Sequence, residues 1–288
     1  MKIAIVNDMF MAAEALRRAV VTNTNHHVSW IAQNGQDAVA RCAADLPDLI
    51  LMDLIMPEMD GVEATRRIMA ETPCAILIVT ASVDENAAQV FAAMGYGALD
   101  AVNTPLLGTQ RNEAGRAEFL AKLKTIEMLI RPRRTLPEQP KRSRANMLPP
   151  TGYQLVAIGA SSGGPAALMT ILATLPADFP LPVVVIQHVD AQFVPELVAW
   201  LDLHTALHVR IAKPNARLEP GVVYVAAREE HLVLNAWGTL SYDAQPHDSP
   251  YRPSVDVFFS SVQQHGRGRC IAILLTGMGR DGAEGLLH

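Results

Sequence analysis

The segment Leu49-Ile50-Leu51-Met52-Asp53 is the most informative part of the first half of the chain. Residues 49–52 are apolar at every position, as expected for a central strand covered on both faces. Further short apolar runs lie near residues 3–6, 28–32, 75–79 and 98–102, and stretches of helical periodicity separate them. This alternation, at about 24 residues per step, is typical of βαβ units on a parallel sheet. It predicts a flavodoxin-like doubly wound domain with a five-stranded parallel sheet over residues 1–125.

The composition changes after this first domain. Between Arg131 and Pro150 there are five prolines and six basic residues against one acid. Such a composition predicts an extended, exposed linker, to which we assign residues 126–152. From Tyr153 to His288 the alternation of strands and helices resumes, with a strand-rich stretch between 207 and 242. This pattern predicts a second doubly wound α/β domain.

The overall composition excludes several classes of protein. The 288 residues are 50% hydrophobic and 18% charged, with a formal net charge of −5. An acidic chain is poorly suited to nucleic acid as its main partner, because neutralising phosphates needs a basic excess. The chain has no uninterrupted apolar run of about 18 residues, so no membrane insertion is expected. Three cysteines without CxxC spacing indicate neither a disulfide framework nor a zinc site. We therefore expect a cytoplasmic two-domain protein.

Polar side chains end three of the strands expected in the first domain. Asp8 follows the first strand, Asp53 the third, and Thr80 ends the fourth. A single Asp after a strand is usually a helix cap, but the carboxyl ends of parallel strands meet at one crevice. Two carboxylates and a hydroxyl there would suit Mg²⁺, which takes few protein ligands and several waters. Asp53 is also a candidate nucleophile for a phosphoryl group.

A serine turn begins the second domain. Ile158-Gly159-Ala160-Ser161-Ser162-Gly163-Gly164-Pro165 follows an apolar strand and matches the GxSxG nucleophile elbow. A glycine-rich phosphate cradle or a capped helix start is the alternative interpretation. His188 and Asp281 each follow another apolar strand, so one crevice could collect a Ser-His-Asp set. The chain order Ser…His…Asp differs from the Ser…Asp…His order of α/β-hydrolases.

The first domain resembles response-regulator receiver domains. The resemblance rests on Asp53 followed by Leu54-Ile55-Met56-Pro57-Glu58-Met59-Asp60-Gly61. It implies that Asp53 is the phosphoacceptor, that Asp8 and Asp53 are Mg²⁺ ligands, and that Thr80 is the switch hydroxyl. Two positions depart from the family pattern. Asn7 replaces one of a pair of acids, which is expected to weaken the metal site, and Thr104 replaces a Lys.

The second domain resembles the catalytic domain of chemotaxis protein-glutamate methylesterases, the CheB family. The matching segments are residues 159–164, Gln187-His188, and the runs at 220–226, 252–256 and 276–282. The resemblance implies Ser161 as nucleophile, His188 as general base and Asp281 as the acid that orients it. Met278 matches an oxyanion-hole position and Ser162 lies beside the site. The esterase itself is expected to need no cofactor, and His231 is expected to be structural.

Together the two resemblances imply a phosphorylation-regulated protein-glutamate methylesterase that is also a glutamine deamidase. Its expected partners are the cytoplasmic helices of methyl-accepting receptors and a CheA-type histidine kinase. The Asn7 and Thr104 departures look most like the Wsp-type branch. Two alternatives stay open, a non-catalytic two-component signalling adaptor and a small-molecule serine esterase. A helix is expected to begin near Asp281, and the second domain is expected to be truncated at its C-terminal end.

Overall fold

The computed structural model describes residues 1–23, 25–105, 111–130, 153–266, 269–275 and 280–287. In these ranges the chain forms two five-stranded sheets and a two-stranded hairpin, with helices packed around them. The α/β class and the five-stranded receiver sheet expected from the sequence are confirmed.

The first sheet has the strand order β2-β1-β3-β4-β5, and every pairing in it is parallel. The central strand β3 is fully buried, as its uninterrupted apolar sequence predicts. The elements are β1 Lys2–Val6, α1 Phe10–Asn23, β2 His27–Ala32, α2 Gly35–Ala44, β3 Leu49–Met52, α3 Gly61–Glu71, β4 Ala75–Thr80, α4 Ala87–Gly95, β5 Asp100–Asn103 and α5 Arg111–Ile130.

Local sequence explains where α2 and α3 begin. The side chains of Asn34 and Asp60 accept hydrogen bonds from the backbone N–H groups of Asp37 and Glu63, which satisfies otherwise unpaired donors at each helix start. Gly61 allows α3 to start directly against the strand end, because a Cβ there would lie 1.9 Å from the Asp53 carbonyl oxygen. The turn after Asp53 therefore requires glycine.

The second sheet has the order β12-β6-β7-β9-β8, again with parallel pairings. The antiparallel hairpin β10-β11 lies outside it. The elements are β6 Tyr153–Ala160, α6 Gly164–Leu172, β7 Val183–Gln187, α7 Val194–His204, β8 His208–Ile211, β9 Val222–Val225, β10 His231–Leu234, β11 Leu240–Asp243, α8 Val255–His265 and β12 Arg269–Leu274.

The two domains share an apolar layer. One cluster of buried side chains runs from the first sheet through α4 to α6, α7 and the second sheet. Phe91 of α4 stacks on Trp200 of α7, with ring centroids 6.0 Å apart and the ring planes at 25°. Both aromatic rings bury apolar surface in the contact between the domains.

The end of α5 and the residues after Asp281 differ from the sequence expectation. Helix α5 continues to Ile130 and buries Ile126 among the core side chains of the first domain. Residues 126–130 thus continue the last helix of the first domain, and the bounds of the linker stay a prediction. Residues 131–152 lie outside the described residues. Residues 281–287 form successive turns in place of the helix expected near Asp281.

Within the described ranges, no helix is long and apolar enough to cross a membrane.

Candidate active site

The serine and histidine of the expected triad follow neighbouring strands. Ser161 comes directly after β6 and His188 directly after β7, and these strands pair in parallel with Ala160 opposite Gln187. The His188 N–H donates to the Ala160 carbonyl at 2.9 Å, which continues the pairing beyond the strand ends. Both residues line one cavity of about 470 Å³. Parallel pairing thus brings two residues that are far apart in sequence to the same crevice.

Asp281 follows β12, on the other side of β6, and its side chain is only 4% exposed. Its Oδ2 accepts hydrogen bonds from His188 Nε2 at 2.8 Å and from the Val255 N–H at 2.7 Å. Its Oδ1 accepts from Ser254 Oγ at 2.7 Å and from the Asp256 N–H at 3.0 Å. The carboxylate therefore lies at the N-terminus of α8, where the helix dipole also favours negative charge.

The surroundings of Asp281 stabilise its ionised form. Burial by itself raises the pKa of this carboxyl, but the hydrogen bonds from His188, the Asp256 N–H, Ser254 and the Val255 N–H outweigh burial and lower the pKa to about 2. Asp281 is thus a carboxylate at any pH near neutrality. It can hold a histidine ring and can stabilise that ring when it becomes charged.

The contact with Asp281 determines which nitrogen of His188 is basic. A carboxylate only accepts hydrogen bonds, so Nε2 must carry the hydrogen that it donates to Asp281, and Nδ1 keeps its lone pair. Nδ1 is buried and has no hydrogen-bond partner among the described residues. It therefore does not bond to the Ser161 hydroxyl in this structure. Catalytic hydrogen bonds of this kind commonly tighten only when substrate binds.

The turn that carries Ser161 is held by Gln187. The buried amide Nε2 of Gln187 donates to the Ser161 carbonyl at 3.0 Å and to the His188 carbonyl at 3.1 Å. One side chain thus links the backbones of both residues. Gly164 makes room for it, because a Cβ on Gly164 would lie 2.1 Å from Gln187 Oε1.

Two further side chains around the triad were not singled out from the sequence. Ser254 caps α8 and also donates to Asp281. A Ser before a helical stretch signals a cap, but nothing in the sequence signals the contact with Asp281. Tyr251 stacks on the His188 ring, and no local sequence pattern announces such a contact. His231, expected to be structural, is fully buried and accepts the Ser254 N–H on Nδ1 at 3.1 Å.

Ser162 and Met278 were also expected beside the active site, and the structure describes only Ser162. The Ser162 hydroxyl donates to Asp100 Oδ2 of the first domain at 2.6 Å, and the next N–H, of Gly163, donates to the Leu99 carbonyl at 2.7 Å. Lys122 Nζ holds the other oxygen of Asp100 at 2.8 Å. The first domain therefore touches the serine turn directly. Met278 lies outside the described residues.

The expected phosphoacceptor site lies at the carboxyl ends of β1 and β3. Asp53 Oδ1 accepts the Leu54 N–H at 2.7 Å, and its Oδ2 accepts the Asn7 amide Nδ2 at 2.9 Å. The Asn7 amide oxygen accepts the Met9 N–H at 2.9 Å. Asn7 thus presents a donor to Asp53 where a second carboxylate would present a metal ligand.

The electrostatics at Asp53 favour a bound cation. Burial raises the pKa of Asp53 to about 6 despite the lowering effect of the Leu54 and Ile55 N–H groups, and the nearby Asp8 charge adds to the rise. Within the described ranges, no Lys or Arg forms an ion pair with Asp53 or Asp8. No group of three or more His, Cys, Asp or Glu able to hold a metal occurs in those ranges either. Two uncompensated carboxylates nevertheless fit Mg²⁺, which completes its shell with water.

Thr80 and Thr104 lie at the ends of the neighbouring strands. Thr80 is buried, and its Oγ1 accepts the Asn86 amide at 3.0 Å, so the hydroxyl is engaged by the start of α4. The Thr104 N–H donates to the Thr80 carbonyl at 2.8 Å, which places this residue beyond β5 as the sequence indicated. A threonine there offers no charge to Asp53.

Comparisons with known proteins agree with both domains. Residues 156–288 match the family described as CheB methylesterase, and residues 3–110 match the family described as response regulator receiver domain. A crystal structure of the Thermotoga maritima CheB methylesterase catalytic domain is 36% identical, with a TM-score of 0.45 over 47% of this chain and 73% of that chain.

Similarity to curated proteins extends over nearly the full chain. A protein-glutamate methylesterase/protein-glutamine glutaminase of Mesorhizobium japonicum is 53% identical, over 99% of this chain and 84% of the relative. A second protein of that name, from Pseudomonas syringae, is 52% identical with the same coverage. The Wsp-type branch stays a prediction. The chain belongs to the CheB family of receiver-linked protein-glutamate methylesterases/protein-glutamine glutaminases.

Proposed function

We propose that this protein hydrolyses γ-glutamyl methyl esters on methyl-accepting receptor proteins and also deamidates receptor glutamines. Family membership supports the reaction class. The observation that carries the proposal is the buried Asp281–His188 pair, which lies beside the cavity that Ser161 also lines. Two strand-end residues and a carboxylate at a helix N-terminus form the constellation that acyl transfer from an ester requires.

The catalytic steps assign one task to each side chain. Ser161 Oγ attacks the ester carbonyl while its proton passes to His188 Nδ1, and Asp281 stabilises the imidazolium that forms. His188 then gives this proton to the departing methoxy oxygen, and methanol leaves an acyl-enzyme on Ser161. Water attacks the acyl carbon, His188 takes its proton and returns it to Ser161 Oγ, and the glutamate is released. A glutamine substrate follows the same course with ammonia as the leaving group.

The receiver domain supplies regulation through Asp53. Asp8 and Asp53 would hold Mg²⁺, and the bound ion offsets the charge of a phosphoryl group on Asp53. We expect Asn7 to weaken metal binding, because it replaces an anionic ligand with an amide whose oxygen already accepts a hydrogen bond. A CheA-type histidine kinase is the proposed phosphoryl donor.

Contact between the domains is the proposed means of control. Asp100 and Leu99 bind the two residues that follow the nucleophile, so the serine turn is restrained while the receiver is docked. Phosphorylation of Asp53 would release that restraint and open the cavity. The substrates are the cytoplasmic helices of the receptors, which puts the proposed reaction in the cytoplasm.

Methanol release from a methylated receptor fragment tests the proposed function. We expect release by the wild type and loss of several powers of ten in Ser161→Ala. The neighbouring variant Ser162→Ala keeps the nucleophile and loses the hydrogen bond to Asp100, so its activity should equal or exceed that of the wild type. A small-molecule esterase would hydrolyse a simple aryl ester but release no methanol from the receptor fragment. A non-catalytic adaptor would do neither, and Ser161→Ala would then equal the wild type in both assays.

A further inference from the structure

Tyr251 covers one face of the His188 imidazole. The two rings are nearly parallel, with centroids 4.8 Å apart and planes at 7°. This is the offset-stacked arrangement that aromatic pairs favour. Tyr251 also lines the cavity that contains Ser161. The reaction steps described above give this ring no task.

The segment that carries Tyr251 is anchored at several points. Ser249 Oγ donates to the Tyr251 carbonyl at 3.0 Å. Three residues after the tyrosine, the Ser254 N–H donates to the buried His231 and Ser254 Oγ donates to Asp281. One short stretch of chain therefore brings an aromatic face to His188 and hydrogen-bond donors to the carboxylate that binds the edge of the same imidazole.

These contacts leave the His188 ring little freedom. The hydrogen bond from Nε2 to Asp281 fixes one edge but permits rotation of the ring about the Nε2–Oδ2 direction. A parallel ring against one face opposes that rotation, because any tilt of the imidazole runs into the phenol. The Nδ1 lone pair lies in the plane of the ring, so holding the ring plane also holds the direction of that lone pair.

We propose that Tyr251 is a positioning residue for the esterase reaction, which holds the plane of His188 and stabilises its cationic form through the π face. The inference rests on the proposed function, in which His188 takes the proton of Ser161. A cation over an aromatic face is attracted by the ring quadrupole, and the attraction is larger where water is excluded. His188 is 16% exposed, so its ring is largely shielded.

Other charges around the cavity bear on any test that varies pH. Asp281 binds His188 directly. Among the described residues, the other acidic and basic side chains on the cavity wall, apart from His188 itself, are Asp84, Asp100, Glu118, Lys122, Asp190 and Arg252. Substitution of Tyr251 by another uncharged residue leaves all of these in place. A difference in kcat/KM or in the pH–rate profile between two uncharged replacements of Tyr251 therefore reports on the side chain that covers His188.

The full-length variants Tyr251→Phe and Tyr251→Leu separate stacking from simple cover. Phenylalanine keeps the π face and loses only the hydroxyl, whereas leucine is apolar and covers the imidazole without a π face. We expect Tyr251→Phe to retain kcat/KM for methanol release within about threefold, and Tyr251→Leu to lose about 3- to 30-fold. The acid limb of the pH–rate profile should move to lower pH by about half a unit to one unit in Tyr251→Leu alone, because the imidazolium loses its stabilising face.

An activity-independent measurement accompanies the kinetics. The ring current of a stacked aromatic shifts the His188 ring protons upfield in the NMR spectrum, and we expect this shift in the wild type and Tyr251→Phe but not in Tyr251→Leu. Equal kcat/KM and equal acid limbs in the two variants would overturn the proposal, as would the absence of an upfield shift in the wild type. If the wild type released no methanol but kept the ring-current shift, the proposed function would fail while the stacking geometry stood.

Discussion

Replacing Asp281 by Asn tests the electrostatics of the active site in one experiment. Folding lowers the pKa of this carboxyl from 3.8 to about 2, which corresponds to about 2 kcal/mol of stability near neutral pH. The side chain is 4% exposed, so solvent screening reduces this figure little. An asparagine at this position also replaces one acceptor oxygen by an NH2 group, so some of the groups that donate to Asp281 lose their acceptor. We expect a total loss of about 2–4 kcal/mol and a fall in kcat/KM of about 10³–10⁴.

The pH dependence of that loss gives the sharper test. A carboxyl whose pKa is lowered on folding contributes its full stability above the unfolded value near 4, and the contribution disappears as pH falls toward 2. Urea unfolding followed by circular dichroism at pH 7, 5, 4 and 3 should show a constant difference between wild type and variant at pH 7 and 5. At pH 3 the difference should be smaller by about 1 kcal/mol.

Asp256→Asn is the matched control for this experiment. It removes the same charge from the same end of α8 but keeps an acceptor for the Gly285 N–H, which Asp256 Oδ1 binds at 2.7 Å. Its expected cost is below about 1 kcal/mol, the usual size of a helix-dipole effect. Equal losses in the two variants, or a loss in Asp281→Asn that does not shrink with falling pH, would refute the argument that hydrogen bonds to an ionised Asp281 stabilise this site.

Three further substitutions follow from the structure. Asp53→Asn should raise stability at pH 7 by about 1–2 kcal/mol. Burial raises the pKa of Asp53 from 3.8 to about 6, so the wild type loses stability as pH rises between these values and has lost it fully at pH 7. Mg²⁺ should raise the melting temperature of the wild type but not of this variant. If the variant melted at a lower temperature than the metal-free wild type, the expected gain in stability would be wrong. Gly164→Ala should slow methanol release at least about tenfold, because its Cβ would lie 2.1 Å from Gln187 Oε1, whereas Gly115→Ala, in open space on α5, should leave the rate unchanged. Asp100→Asn should raise the methylesterase rate measured without a phosphodonor, since it weakens the contact with the serine turn, and an unchanged or lower rate would count against control by docking.

The sequence alone predicts the five-stranded parallel sheet of the first domain, the α/β class of the second domain and the polar residues at the strand ends of both. An apolar run such as residues 49–52 specifies a buried strand locally, and parallel pairing then brings the residues at the carboxyl ends of β1, β3 and β4 to one edge. The same rule brought Ser161 and His188 together, because β6 and β7 are neighbours. These placements follow from periodicity and chain direction, which a single sequence contains.

Some local features were only partly visible in the sequence. The stretch between 207 and 242 was expected to be rich in strands, but the alternation did not reveal that β10 and β11 leave the main sheet as an antiparallel hairpin. Ser254 before the helical stretch of α8 is visible in the sequence as a possible cap, but the binding of Asp281 by the N-terminus of α8 is not. A helix start signals a set of unpaired N–H groups but does not say which distant acceptor will satisfy them.

The contacts that support the candidate active site could not be predicted without the tertiary structure. The contacts of Tyr251 with His188, of Ser254 with Asp281 and of Ser162 with Asp100 join residues from loops and strand ends that are distant in sequence. No periodicity links such pairs, because they depend on how loops close and on how the two domains pack. Patterns of period 2 and 3.6 report which face of an element is buried, and they carry no information on which side chains meet across a cavity.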